Sequence, residues 1–185
     1  MRYLVVFVMM VCLVGTAAAF DLGNQAGPKG DSHLTQDPAE NRQGGDTVFD
    51  ATVIPGFPYS NSGSTAGYND DYDEICPYSG STSPDVVYVA YPGATTVVDI
   101  DLCYSGYDTK LYVYDGGLNL VACNDDFYFG DPCQVYSSKL EGVTMAGGET
   151  YYIIIDGYGG DFGPYEMEIS EFTPCVVECP AGGVL

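Results

Sequence analysis

The chain has 185 residues, with five Lys or Arg against 26 Asp or Glu, one histidine, and a formal net charge of −21. Such an excess of acid excludes nucleic acid and anionic membrane surfaces as partners, and it favours solubility, cations and basic partners. With a single histidine in the chain, a zinc site and imidazole-based catalysis are both poorly provided for.

In chain order, Arg2, an uncharged apolar run over 3–15 and the small residues Ala17, Ala18 and Ala19 read as a secretory signal peptide over 1–19. The run is too short for a comfortable membrane span, and no later segment resembles one. The expected destination is therefore secreted, in the extracellular space or at the cell surface. Removing 1–19 takes away Arg2 and no acid, leaving four basic residues against 26 acidic ones. Residues 20–45, rich in Gly and polar groups and containing His33, show no hydrophobic period and are expected to be a flexible lead-in.

From residue 46 the pattern changes to short alternating runs broken by Gly, Pro, Asn and Asp. Strands are predicted at 47–54, 85–91, 95–103, 109–114, 118–123, 137–145, 149–156 and 163–170. Val98, Ile100 and Leu102 oppose Asp99 and Asp101, and Tyr165, Met167 and Ile169 oppose Glu166 and Glu168. About eight strands of this kind specify an all-β domain over 46–171, a two-sheet antiparallel sandwich. The Pro, Gly, Ser and Asn-rich stretch 55–84 is expected to be a loop crossing one end. Residues 172–185 form a Cys-containing tail, read either as the start of a linker to a further module or as a natural terminus.

Six cysteines follow the leader: Cys76, Cys103, Cys123, Cys133, Cys175 and Cys179. In an exported chain an even count reads as disulfides. The expected pairs are Cys123–Cys133 and Cys175–Cys179 as local staples and Cys76–Cys103 as the longer link.

From residue 46 onward there is no His or Arg, and the lysines are Lys110 and Lys139. No catalytic residues are assigned, and no enzymatic activity is expected. A paired-carboxylate glycoside-active enzyme needs only two acids, but in so acidic a chain such a pair arises by chance.

The segment YDTKLYVYDGGLNLVACNDD carries more information. A hairpin turning at Gly116-Gly117 sets Val113 against Leu120 and Asp108 against Asp125; one extra turn residue sets Asp108 against Asp126. Either register brings like charges together beside Asn124, a repulsion that a calcium ion would convert into oxygen ligation. Asn69, Asp70 and Asp71 are candidate further ligands if the long loop passes the same end. The competing reading is that Asn-Asp runs are turn formers bonding their own backbone, and no EF-hand spacing is present. Phe127, Tyr128 and Tyr158 are candidates for an aromatic ligand platform, or else they cover the ends of the core.

Taken in order, GDTVFDATVIPGFPYSNSGSTAGYNDDY, SPDVVYVAYP, DLCYSGYDTKLYVYD, ACNDD and AGGETYYIIIDGYGGDFGPYEMEI resemble the bacterial pre-peptidase C-terminal (PPC) domain family, over roughly residues 45–170. The resemblance implies a jelly-roll-like β-sandwich, usually an accessory module of exported enzymes, associated with secretion, surface or substrate attachment and sometimes calcium. It carries no catalytic motif, and its YDT and NDD aspartates correspond to Asp108, Asn124, Asp125 and Asp126. Here no peptidase domain precedes the module, which favours a stand-alone or N-terminal surface module. The expected function is a noncatalytic exported module that binds an extracellular polysaccharide or protein. The alternative is a structural subunit of an extracellular layer or filament.

Overall fold

A computed structural model describes residues 43–77 and 81–172. The signal peptide, most of the lead-in and the Cys175–Cys179 pair lie outside these residues. Among the described residues there are nine strands: β1 Thr52–Ile54, β2 Tyr59–Ser64, β3 Val86–Ala90, β4 Thr96–Asp101, β5 Thr109–Asp115, β6 Leu120–Asn124, β7 Lys139–Met145, β8 Tyr151–Gly157 and β9 Pro164–Glu171. They form a five-stranded sheet, β1-β3-β8-β5-β6, and a four-stranded sheet, β2-β9-β4-β7. The architecture is the expected all-β sandwich. Every strand pair is antiparallel except β1 with β3, which is parallel.

Alternation decides which faces meet. Val98 and Ile100 of β4, and Tyr165, Met167 and Ile169 of β9, are buried against Val86, Tyr88, Ile153, Ile155, Leu111 and Val113 of the larger sheet. Asp99 and Asp101 are only partly covered, and Glu166 and Glu168 are exposed. Each fully buried aliphatic side chain contributes about 1.5–3 kcal/mol, so this shared inner layer is the main source of stability.

The larger sheet is buried on its outer face as well. Val87, Tyr112, Tyr114 and Ile154 form a second cluster there, with Tyr72 and Cys123 packed against it. The cover is the chain between β2 and β3. It is held by the buried Lys110 on Asp73 at 3.2 Å, by Tyr114 donating to Glu74 at 2.9 Å, and by a Cys76–Cys123 disulfide.

Three expectations are corrected. First, 55–84 is not all loop: β2 lies within it, in six-residue register with β9 from Tyr59↔Ile169 to Ser64↔Pro164. Its sequence YSNSGS has no apolar alternation, so the strand is set by β9's free edge rather than by its own pattern. Gly45, expected in the lead-in, also pairs with Val87.

Second, the disulfides are Cys76–Cys123 and Cys103–Cys133, not Cys123–Cys133 and Cys76–Cys103. Cys123 sits on β6 opposite Tyr112 and packs in the outer-face cluster beneath the cover. Cys133 meets Cys103 because the loop after β6 folds back on the β4–β5 connection, where Gln134 N donates to the Cys103 carbonyl at 2.8 Å.

Third, the β5–β6 register follows the longer-turn alternative only next to the turn, where Tyr114 faces Leu120; beyond that it slips one residue further, so that Val113 faces Ala122 and Leu111 faces Asn124. The turn takes three residues, 116–118, closed by Asp115 N donating to Asn119 O at 3.0 Å, and a bulge follows at Val113/Tyr114. Leu118 adopts φ 59°, a left-handed conformation that costs a non-glycine residue about 1–2 kcal/mol.

Peptide mapping without reduction should recover the 76–123 and 103–133 linkages; a 123–133 linkage would overturn the fold of this loop. Opening the 76–123 link, with a sequence separation of 47, by a double Cys→Ser change should cost about 4 kcal/mol in urea unfolding. Leu118→Gly should raise the unfolding free energy in urea by up to about 1 kcal/mol, and a lowered midpoint would refute the strain at this turn.

Candidate functional site

The β5–β6 ladder ends at Leu111↔Asn124, and the chain on either side of it carries the acids. Asp108 immediately precedes β5, and its carbonyl accepts Tyr158 N at 3.0 Å beyond the end of β8. Asp125 and Asp126 immediately follow β6. Oxygens of these three carboxylates lie within 4.8 Å of one another. Asp125 is fully buried and Asp108 is 7% exposed. Like charges this close and this poorly hydrated repel strongly, so the arrangement favours a counter-charge among them.

Backbone bonding fixes the positions of the three acids. Ser138 Oγ lies within hydrogen-bonding distance of three carbonyls, those of Asp125 at 2.5 Å, Asn124 at 3.1 Å and Thr109, which share its one hydroxyl proton. Ser138 N donates to Thr109 Oγ1 at 2.8 Å. Phe127 and Tyr128 N both reach the Ser137 carbonyl. The start of β7 thus stitches the far ends of β5 and β6 together. Nothing in the sequence singled out Ser137 or Ser138, because two serines before a strand carry no signal without the tertiary pairing.

Of the other candidate ligands, Asn124 lies next to the cluster, but its side-chain oxygen accepts Lys139 N at 3.2 Å. Asn69, Asp70 and Asp71 are not in the group. Asn69 bonds Asp46 through N and Nδ2, and Asp71 N bonds Asp85 at 2.9 Å, so this run does turn and tethering work instead. Among the aromatics, Phe127 and Tyr128 meet edge to face with centroids 4.8 Å apart. Tyr128 donates to Asp101 at 2.6 Å, and Lys139 lies 5.4 Å over the Phe127 ring. Phe129 is 73% exposed at the loop tip, and Tyr158 lies at the Asp108 end.

A second pair of acids lies beneath the cover. Asp85 Oδ2 accepts Asp71 N and Tyr72 N, each at 2.9 Å, and the whole side chain is buried. Asp156 accepts Tyr112 Oη at 2.6 Å, Gly157 N at 2.6 Å and Ser81 Oγ at 3.1 Å. Burial is the main cause that pushes Asp85 up to about 8 and Asp156 up to about 7; their mutual repulsion further raises Asp85, while Lys110 pulls Asp156 back down.

A groove of about 640 Å³ opens on the outer face of the smaller sheet, lined by Ser60, Ser62, Asp101, Tyr104, Glu166 and Glu168 among others. It depends on β2, β9 and β4 lying side by side, an order that local sequence patterns do not contain.

The fold and site define a small two-sheet β-sandwich, disulfide-linked, with a carboxylate cluster at one end. No protein-family model matches the chain, and no curated protein matches it. Among solved structures it is similar to the pre-peptidase C-terminal domain of a collagenase from Bacillus anthracis, at 16% identity over 64% of this chain and 93% of that one, with a TM-score of 0.43. It is also similar to the CBM36-1 domain of a multidomain xylanase from the hindgut metagenome of Trinervitermes trinervoides, at 13% identity over 62% of this chain and 99% of that one, with a TM-score of 0.36. The first is the family that the ordered sequence motifs resemble.

Both Asp85 and Asp156 hold protons in the folded chain that the unfolded chain releases near its ordinary carboxylate value. Their contribution to stability is therefore greatest below about pH 4 and is lost as pH rises toward about 8. The melting temperature near pH 5 should exceed that at about pH 9, and Asp85→Asn should flatten the difference; an unchanged slope in that variant would remove Asp85 as its source.

Proposed function

We propose that this chain is a noncatalytic, exported binding module whose loop after β6 is braced by a divalent cation, with calcium as the ion. The observation that carries the reading is the Asp108, Asp125 and Asp126 cluster, with oxygens within 4.8 Å and two of the three side chains buried. Carboxylate oxygens are hard donors, which suits calcium and does not suit thiolate- or imidazole-seeking metals. Calcium takes roughly six to eight oxygens, so backbone carbonyls and water would complete the shell around these three acids. When bound, the ion would neutralise their repulsion and hold the end of β6 against the start of β5.

The braced segment leads directly into Phe127, Tyr128 and Phe129, and the Cys103–Cys133 disulfide ties its far end to the β4–β5 connection. Exposed aromatics on a loop fixed at both ends supply contact area at little cost in ordering, as suits a surface that binds an extracellular polysaccharide or protein. Two disulfides among the described residues support a life in an oxidising compartment outside the cytoplasm. The absence of His and Arg from the sequence after Arg42 leaves few groups for general-base or oxyanion roles, which supports binding over catalysis.

A ligand that binds only the folded state raises stability by mass action. The melting temperature should rise in millimolar calcium and return in chelator. Asp125→Asn should lose most of the calcium shift, melting at nearly the same temperature in calcium and in chelator. A melt unmoved by calcium would sink the cation brace.

A further inference from the structure

The outer face of the smaller sheet carries two rows of side chains, along the groove, that the alternation of β2, β9 and β4 turns to solvent. In one row Ser60, Glu168, Asp101 and Lys139 are successive cross-strand partners. In the next, Ser62 partners Glu166. Asp101 is already engaged: its oxygens accept Cys103 N at 2.8 Å and Tyr128 Oη at 2.6 Å, and Lys139 lies 3.9 Å away on the side facing away from the groove's glutamates. The side chains of Glu166 and Glu168 make no hydrogen bond or ion pair among the described residues. Like charges set directly opposite, as Asp101 and Glu168 are, destabilise a sheet unless something offsets them. Among the described residues, no lysine or arginine lines the groove.

We propose that this groove binds an extended basic segment of a protein partner, with Lys or Arg at alternate positions seated on Glu166 and Glu168. Two arguments select this occupant. The first is charge: a neutral sugar offers these exposed carboxylates only neutral hydrogen bonds, whereas ammonium or guanidinium groups form charge-assisted ones, about twice as strong. The second is spacing: Glu166 and Glu168 are two residues apart on one strand, about 7 Å, and an extended peptide repeats its own side chains on one face at the same interval. Tyr104, 63% exposed at the rim, offers a ring face to a cation or to its aliphatic stem. The proposal rests on the reading of the chain as a binding module, and not on the cation brace.

The test is a fluorescence titration of the full chain with a peptide of alternating lysine and threonine. The comparison peptide has the same composition with its lysines grouped at one end. Tighter binding of the alternating peptide, weakened by salt, is expected. The double variant Glu166→Gln/Glu168→Gln should weaken it about tenfold, while Asp70→Asn/Glu149→Gln, which removes two exposed charges elsewhere, should change it less than about twofold. Equal losses in the two variants, or equal affinity for the two peptides, would reduce the effect to the net charge of the chain and overturn the proposal. Binding of a neutral oligosaccharide in the groove, lost in the glutamate variant, with no binding of the alternating peptide, would overturn it in favour of a glycan site. Because calcium is absent from this titration, a chain that melts identically with and without calcium but binds the peptide would lose the brace and keep the groove.

Discussion

The pairing of β5 with β8 at the centre of the larger sheet is the constraint on which the rest of the structure depends. Seven consecutive pairs, Thr109↔Gly157 to Asp115↔Tyr151, join two strands that are buried on both faces. One face is closed by the smaller sheet. The other meets no second sheet among the described residues, and the chain between β2 and β3 is drawn across it. The polar groups found inside follow from that arrangement. Lys110 and Asp156 are neighbours on this ladder, and once the cover is in place each needs a partner that the cover supplies: Asp73 for one and Ser81 for the other.

What the sequence made legible was what repeats at short range. Eight of the nine strands among the described residues overlap a run predicted as a strand, and the opposition of Val98 and Ile100 to Asp99 and Asp101 survives in the fold. β2 was not legible because YSNSGS lacks an apolar period; it becomes a strand by lying beside β9. The cysteine pairing failed for a related reason. Nearness in sequence favours Cys123 with Cys133, but Cys123 packs beneath the cover on the outer face of its sheet, while Cys133 is carried back toward the β4–β5 connection.

The acidic cluster shows how a site can be legible although its geometry is not. Leu118 and the bulge at Val113 shift the β5–β6 register, so Asp108 is not the strand partner of either Asp125 or Asp126. The three acids still converge, because residues that flank the open end of a hairpin stay close over a shift of one or two positions. Asn69, Asp70 and Asp71 had the same composition and no such topological reason to join them. The groove along Glu166 and Glu168 lay beyond sequence reasoning altogether, since its walls come from three strands whose order in the sheet is not their order in the chain.

The two disulfides overlap in sequence: the span from Cys76 to Cys123 is entered at Cys103 by the span that ends at Cys133. Every peptide bond between residues 76 and 133 is therefore bridged by at least one of them. A protease that nicks the hairpin tip, the aromatic loop or the later part of the cover severs the backbone without releasing a fragment. Exposed loop tips are where such cuts fall, and one of them carries the aromatic loop proposed above as a contact surface. A module built this way can be cut once in its most exposed region and remain one covalent molecule.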